Sequence, residues 1–348
     1  MDKYIEDRLD KLESPDKRVR IAAATALGRV TKNKHLVIQP LINLLTDPDE
    51  DVSRAANRAL IKLGKEAVLP LIEALKHPDP DIRYHAISPL GEIPDRSAIE
   101  PLLDLLKNDE NSSVRAAAAG VVSVVLLNGH FEWDEEIEEK FNRVGEALIN
   151  ALKDKDSRVR ADAAISSGNL HFSKAVQPLI EALKDADEDV RGHAAFALRN
   201  CGGGEIVEPL IPLLQDESDS VRIWTTGALE WTGYPETLEP LSKAVDPMID
   251  RLKDDNPRVR EYAARVLGSY LRIEGIERAV GPLIEALNDK SSAVRYAVVQ
   301  ALGLIGKEDV LKILEKVQAN DFENTNLGYT VSEGATEAIG HLKERYPS

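Results

Sequence analysis

Six side chains in the second half of the chain have types and spacing suited to chemistry: His193, Phe196, Trp224, Trp231, Tyr262 and Arg265. That chemistry is recognition. Aromatic faces bury apolar groups, a guanidinium stacks on rings or pairs with carboxylates, and an imidazole offers a donor and an acceptor. Trp224 and Trp231 stand seven residues apart, two turns along one helix face, and an exposed aromatic pair is a favoured anchor for a protein partner. The competing reading is packing, with Trp224 filling the gap at Gly227 and Trp231 lying under the following loop.

Covalent catalysis has no comparable signature. The sequence contains no P-loop, nucleophile elbow, paired-cysteine zinc pattern or glycine-rich dinucleotide turn, and the run Gly202, Gly203, Gly204 reads as a helix termination. Neither a cofactor nor a metal is expected, and the chain reads as a non-enzyme. The single cysteine, Cys201, excludes an internal disulfide and any all-cysteine metal site, which fits a reducing cytoplasm. A formal charge of -16 argues against nucleic acid, whose phosphates require concentrated positive charge. The start of the chain lacks a basic segment followed by an apolar run, and Ala116 to Leu127 is too short to span a bilayer, so neither secretion nor a membrane span is expected.

The elements that must position the six residues are written in a repeat. A hydrophobic anchor recurs at Val19, Val52, Ile82, Val114, Val159, Val190, Val221, Val259 and Val294. Three residues before each anchor stands Asp16, Asp49, Asp79, Asn111, Asp156, Asp187, Ser218, Asn256 or Ser291, all residue types that cap helix N-termini. An arginine follows eight of the nine anchors; the second repeat has Ser53 and moves its arginine to Arg54. Stacking would arrange these arginines as a ladder near the capping carboxylates. In AVQPLIEALKDADEDVRGHAAFAL, residues 175–198, two apolar stripes at helical spacing make each repeat a helix pair. A proline opens the first helix at Pro40, Pro70, Pro101, Pro178, Pro209, Pro247 and Pro282, where its missing N–H costs little. Positions three, six and ten after each anchor share a stripe away from the core. On that stripe the bulky residues gather in repeats six to eight.

Segments such as DPDIRYHAISPLGEI and NPRVREYAARVLGSY resemble HEAT repeats, specifically the HEAT-like repeats named after the phycobilisome lyases. The resemblance implies an all-α, right-handed α-solenoid of about nine or ten helix-pair repeats with second helices lining the concave side. For function it implies a scaffold or adaptor gripping a protein or peptide partner along that side, with His193, Phe196, Trp224, Trp231, Tyr262 and Arg265 as the contact set. The alternative it implies is a tetrapyrrole (bilin) handling protein using the same aromatic stripe. The iron hydroxylase branch, deoxyhypusine hydroxylase, carries repeated His-Glu pairs, and none of the seven histidines here precedes a glutamate.

Departures from the repeat are read as one continuous domain, 1–348, with insertions at about 128–144 and 230–245 and a C-terminal cap at about 315–348. The first insertion contains His130, Phe131 and Trp133 before an acidic segment expected to lengthen the next first helix, with Ile137 and Phe141 seating it. The last helix is expected over about 332–345. Ile5, Leu9 and Leu12 are expected to close the other end.

Overall fold

Most second helices begin where an extended residue brings its side-chain oxygen back to a free N–H. In the computed structural model, which describes residues 3–128, 134–230, 238–270 and 272–346, Asp16, Asp49, Asp79, Asn111, Asp156, Asp187 and Asn256 all accept from the N–H two residues on. Such caps are worth about 1 kcal/mol each. Ser218 and Ser291 correct the expected column: both have the cap backbone but make no side-chain cap bond. Seven anchors, Val52, Val114, Val159, Val190, Val221, Val259 and Val294, are 0% exposed, so the hydrophobic column is the core.

The chain divides into two compact units, residues 1–175 and 176–348. In the first, the second helices Lys17–Leu27, Glu50–Leu63, Pro80–Glu92, Ser112–Leu127 and Ser157–Asn169 pack one on the next. In the second, Glu188–Cys201, Asp219–Ala228, Pro257–Ser269, Ser292–Ile305 and Val331–Arg345 do the same. First helices flank them, giving an all-α solenoid of stacked helix pairs. Among the described residues the only β pairing is the single bridge between Asn324 and Thr330.

Most first helices are short, and Pro70, Pro101, Pro178, Pro209, Pro247 and Pro282 each occupy the third helical residue. Pro40 departs from this, lying inside His35–Asn43. Close stacking depends on small residues. A Cβ placed on Gly303 would stand 2.7 Å from the Ala338 Cα, and one on Gly28 2.6 Å from the Ala59 Cα, so any side chain there must push two helices apart.

The arginine ladder is present, with a different acceptor from the one expected. Arg83 donates through Nε and Nη2 to Asp109 at 2.7 and 2.8 Å, and Arg222 to Asp254 at 2.9 and 3.0 Å. These aspartates stand two residues before the caps. Their carboxylates also accept from the cap residue's own N–H, as Asp109 does from Asn111 and Asp254 from Asn256. The same geometry joins Arg20 to Asp47, Arg115 to Asp154, Arg191 to Asp216, Arg260 to Asp289 and Arg295 to Asp321. The remaining nitrogen, Nη1, takes the carbonyl six residues back, so Arg115 bonds the Asp109 carbonyl at 2.9 Å. Asp109, Asp154, Asp216, Asp254 and Asp289 thus each link two arginines.

The regions of the insertions and the C-terminus differ in character. Residues 129–133, including His130, Phe131 and Trp133, lie outside the described residues, as do 231–237. Beyond the first gap, Glu135–Ala151 runs for 17 residues, with Ile137 buried and Phe141 edge-on to Phe172 at 5.4 Å. The C-terminal segment is a tenth helix pair: Glu308–Asn320, a loop, then Val331–Arg345 behind a Thr330–Glu333 capping box. Asp321 supplies its ladder acid. Tyr329 in the loop stacks on Tyr296 at 6.2 Å. At the other end Ile5 and Leu12 are buried and Leu9 half-buried.

Candidate partner-binding surface

Three second helices of the 176–348 unit carry the surface. Asp187 caps Glu188–Cys201 and Asn256 caps Pro257–Ser269. The forks Arg191–Asp216 and Arg222–Asp254 fix their mutual register. The residues three after the anchors, His193, Trp224 and Tyr262, consequently fall on neighbouring helices at one level.

Trp224 is held on two sides and open on a third. Its ring stands edge-on to Phe196, with centroids 5.1 Å apart at 68°, and its Cδ1 lies 3.1 Å from where a Gly192 Cβ would be. The side chain is nevertheless 41% exposed. The gap that accommodates it is therefore at Gly192, while the space beside Gly227 is taken by the Tyr262 ring, 3.9 Å from a Cβ there. This corrects the packing expectation for Trp224 and Gly227. The Arg265 guanidinium lies 5.0 Å from the Tyr262 ring centroid. Trp231 falls outside the described residues.

A charged group missed in the sequence completes the surface. Glu230 accepts from Arg199 at 2.8 Å and stands 3.7 Å from Arg265. Arg199 and Glu230 occupy the position nine after the anchor, where Gly28, Gly91, Gly168, Gly268 and Gly303 stand in other repeats. Replacement of a close-approach glycine by a charge was the available signal. His193 is half-buried, and its Nδ1 is buried without a hydrogen-bond partner among the described residues. Burial holds its pKa below the usual imidazole value against the opposing pull of Asp189 and Asp187, so the ring is neutral at pH 7.

The arrangement offers an open indole face, a stacked cation and a bridged carboxylate. Among the described residues no three His, Cys, Asp or Glu side chains converge as a metal site. None of their helices is long and apolar enough to cross a membrane.

Comparison with known proteins agrees with this architecture. No curated protein matches the sequence. Among solved structures, an engineered structural-genomics protein is 21% identical with a TM-score of 0.52, covering 98% of this chain and 99% of that one. YibA of E. coli is 20% identical with a TM-score of 0.59, covering 80% of this chain and 95% of that one. A chain of the structure titled for Kap95p binding to RanGDP is 15% identical with a TM-score of 0.68; 98% of this chain is covered but only 51% of that one. The model for HEAT repeats matches residues 5–75, 68–123, 176–247 and 245–325, most of the length, and with the stacked helix pairs this means that the chain belongs to the HEAT-repeat family.

Proposed function

We propose that the protein is a non-catalytic scaffold that grips a protein or peptide along the second helices of repeats six to eight. The observation that carries the reading is Trp224, immobilised by Phe196 and Gly192 yet 41% exposed. A rigid aromatic with an open face loses little entropy on binding, the property of interface anchors. Phe196, Tyr262 and Arg265 extend the apolar and stacking surface, Glu230 with Arg199 supplies its polar rim, and Trp231 adjoins it in sequence. The Kap95p–RanGDP neighbour, titled for a protein complex, supports the same class of ligand. The acidic charge of -16 favours proteins over nucleic acid, and the lone Cys201, whose thiol burial pushes up to about 11, fits the reducing cytoplasm.

The second reading is a bilin-handling protein. It is favoured by His193, whose buried Nδ1 lacks a partner among the described residues and would suit a pyrrole N–H. Affinity purification from the source, followed by an absorption spectrum and mass spectrometry, separates the two. A colourless sample with a stoichiometric protein that W224A/R265A fails to retain supports the scaffold. A visible tetrapyrrole band overturns it.

A further inference from the structure

A second surface lies in the other unit and owes nothing to the aromatic stripe. Residues 17–65 hold ten Lys or Arg against four Asp or Glu, in a chain whose totals are 44 and 60. Part of this local excess forms a row. Arg54, Arg58 and Lys62 stand four apart along Glu50–Leu63, all exposed. They wall a groove of about 370 Å³ against the preceding second helix, floored by Ile21, Thr25, Ala55 and Ala59.

Stacking does not require this row. At the same positions in the next three repeats stand Tyr84, Ser88 and Glu92, then Ala116, Gly120 and Val124, then Ala161, Ile165 and Asn169, none of them basic. The row also opposes the helix, since like charges four apart repel. Arg54 is relieved by Asp51 at 3.1 Å and Glu50 at 3.6 Å, whereas among the described residues no carboxylate pairs with Arg58 or Lys62. The second repeat has given up its ladder arginine at Ser53 and carries one at Arg54, on the groove wall.

We infer that this groove binds an extended acidic peptide, with carboxylates at alternate positions paired to Arg58 and Lys62. The spacing fits, because residues four apart on a helix rise about 6 Å and alternate residues of an extended strand lie about 6.6 Å apart. A groove between adjacent helices admits one extended chain, and its floor of small apolar groups receives the intervening side chains. Nucleic acid fits less well: no aromatic ring lines the groove for base stacking, and Asp51 stands at one end of the row.

The test is fluorescence anisotropy of the full chain with a fluorescein-labelled peptide of alternating glutamate and alanine, its glutamine counterpart as control. The expected result is saturable binding of the glutamate peptide that weakens with salt, is lost with glutamine, and falls by about tenfold or more in R58E/K62E. Both positions are exposed, and unchanged circular dichroism of the variant confirms that it folds. W224A should bind this peptide normally, which separates the groove from the aromatic surface. No binding up to about 1 mM, equal binding by R58E/K62E, or displacement of the peptide by single-stranded or duplex oligonucleotide at lower concentration would overturn the inference.

Discussion

Arg83 closes two nitrogens on the carboxylate of Asp109, at 2.7 and 2.8 Å, and the aspartate side chain is left only 3% exposed. The fork is therefore a nearly buried ion pair that joins one repeat to the next. Its partner in the chain of links, the Asp109 carbonyl, receives Arg115. In the first unit, the junction after the second repeat departs from this device: Ser53 stands in place of the arginine and His77 in place of the aspartate. His77 keeps only the local half of the role, its Nδ1 accepting from the Asp79 N–H at 3.0 Å.

Installing both groups should strengthen that junction. S53R/H77D is expected to raise stability by about 1 kcal/mol, with each single change neutral or destabilising, since either leaves a charge without its fork. A double-mutant cycle by urea unfolding measures the coupling; an additive result would reject the interlocking role of the ladder.

Removing an existing fork should be costly. Asp254 is 3% exposed and is held by Arg222 with help from Arg251 at 3.1 Å. R222A should destabilise by about 3 kcal/mol by leaving a buried carboxylate short of its main counter-charge. R222A/D254N should recover part of that loss in the same denaturation assay.

The ladder also fixes the acid response. Burial pushes the carboxyls of Asp109, Asp216, Asp254 and Asp289 up, but their arginine and backbone N–H donors prevail and hold them below the ordinary value. A depressed folded pKa contributes stability that is present above the unfolded value of about 3.9 and is lost as pH falls through the folded one. Melting temperature should therefore hold between neutrality and about pH 5 as far as these groups are concerned, then fall steeply below about pH 4. Thermal scans across that range check it.

Asp162 works with the opposite sign. Burial raises its carboxyl to about 6 while Arg158 pulls it down, so the proton is favoured in the folded state and ionisation costs stability as pH rises from the unfolded pKa through the folded one. D162N should stabilise the protein at pH 7 by about 1 kcal/mol, allowing for its partial solvation. The gain should vanish near pH 4. A gain independent of pH would contradict the electrostatic origin.

W224A/R265A should leave melting nearly unchanged, because Trp224 is half open and Arg265 exposed, while weakening partner affinity by about thirtyfold or more. Isothermal titration with the captured partner gives both numbers. A large loss of stability without loss of affinity would make the aromatic set part of the core.

The sequence made the helix pairs, caps and arginine column legible because each depends on side chains within a few residues of one another. The ladder's true acceptors were hidden by competition: in Asp47–Pro48–Asp49 two carboxylates stand two apart, and only the fold separates the fork acceptor from the cap. The last helix was legible but read as a cap, because it opens with Thr330–Val331 and carries no arginine after the anchor. Trp224 and Tyr262 share the column three after the anchors, with Arg265 on the same stripe, so their grouping could be read from the repeat. Arg199 and Glu230 were passed over, their one mark being a charge nine residues after the anchor where other repeats carry glycine.

Hydrogen–deuterium exchange of the protein with and without its captured partner tests the central claim most directly. The account predicts slowed exchange centred on residues 188–201, 219–228 and 257–269, abolished by W224A/R265A. Protection confined to other helices, with these three unchanged, would contradict it.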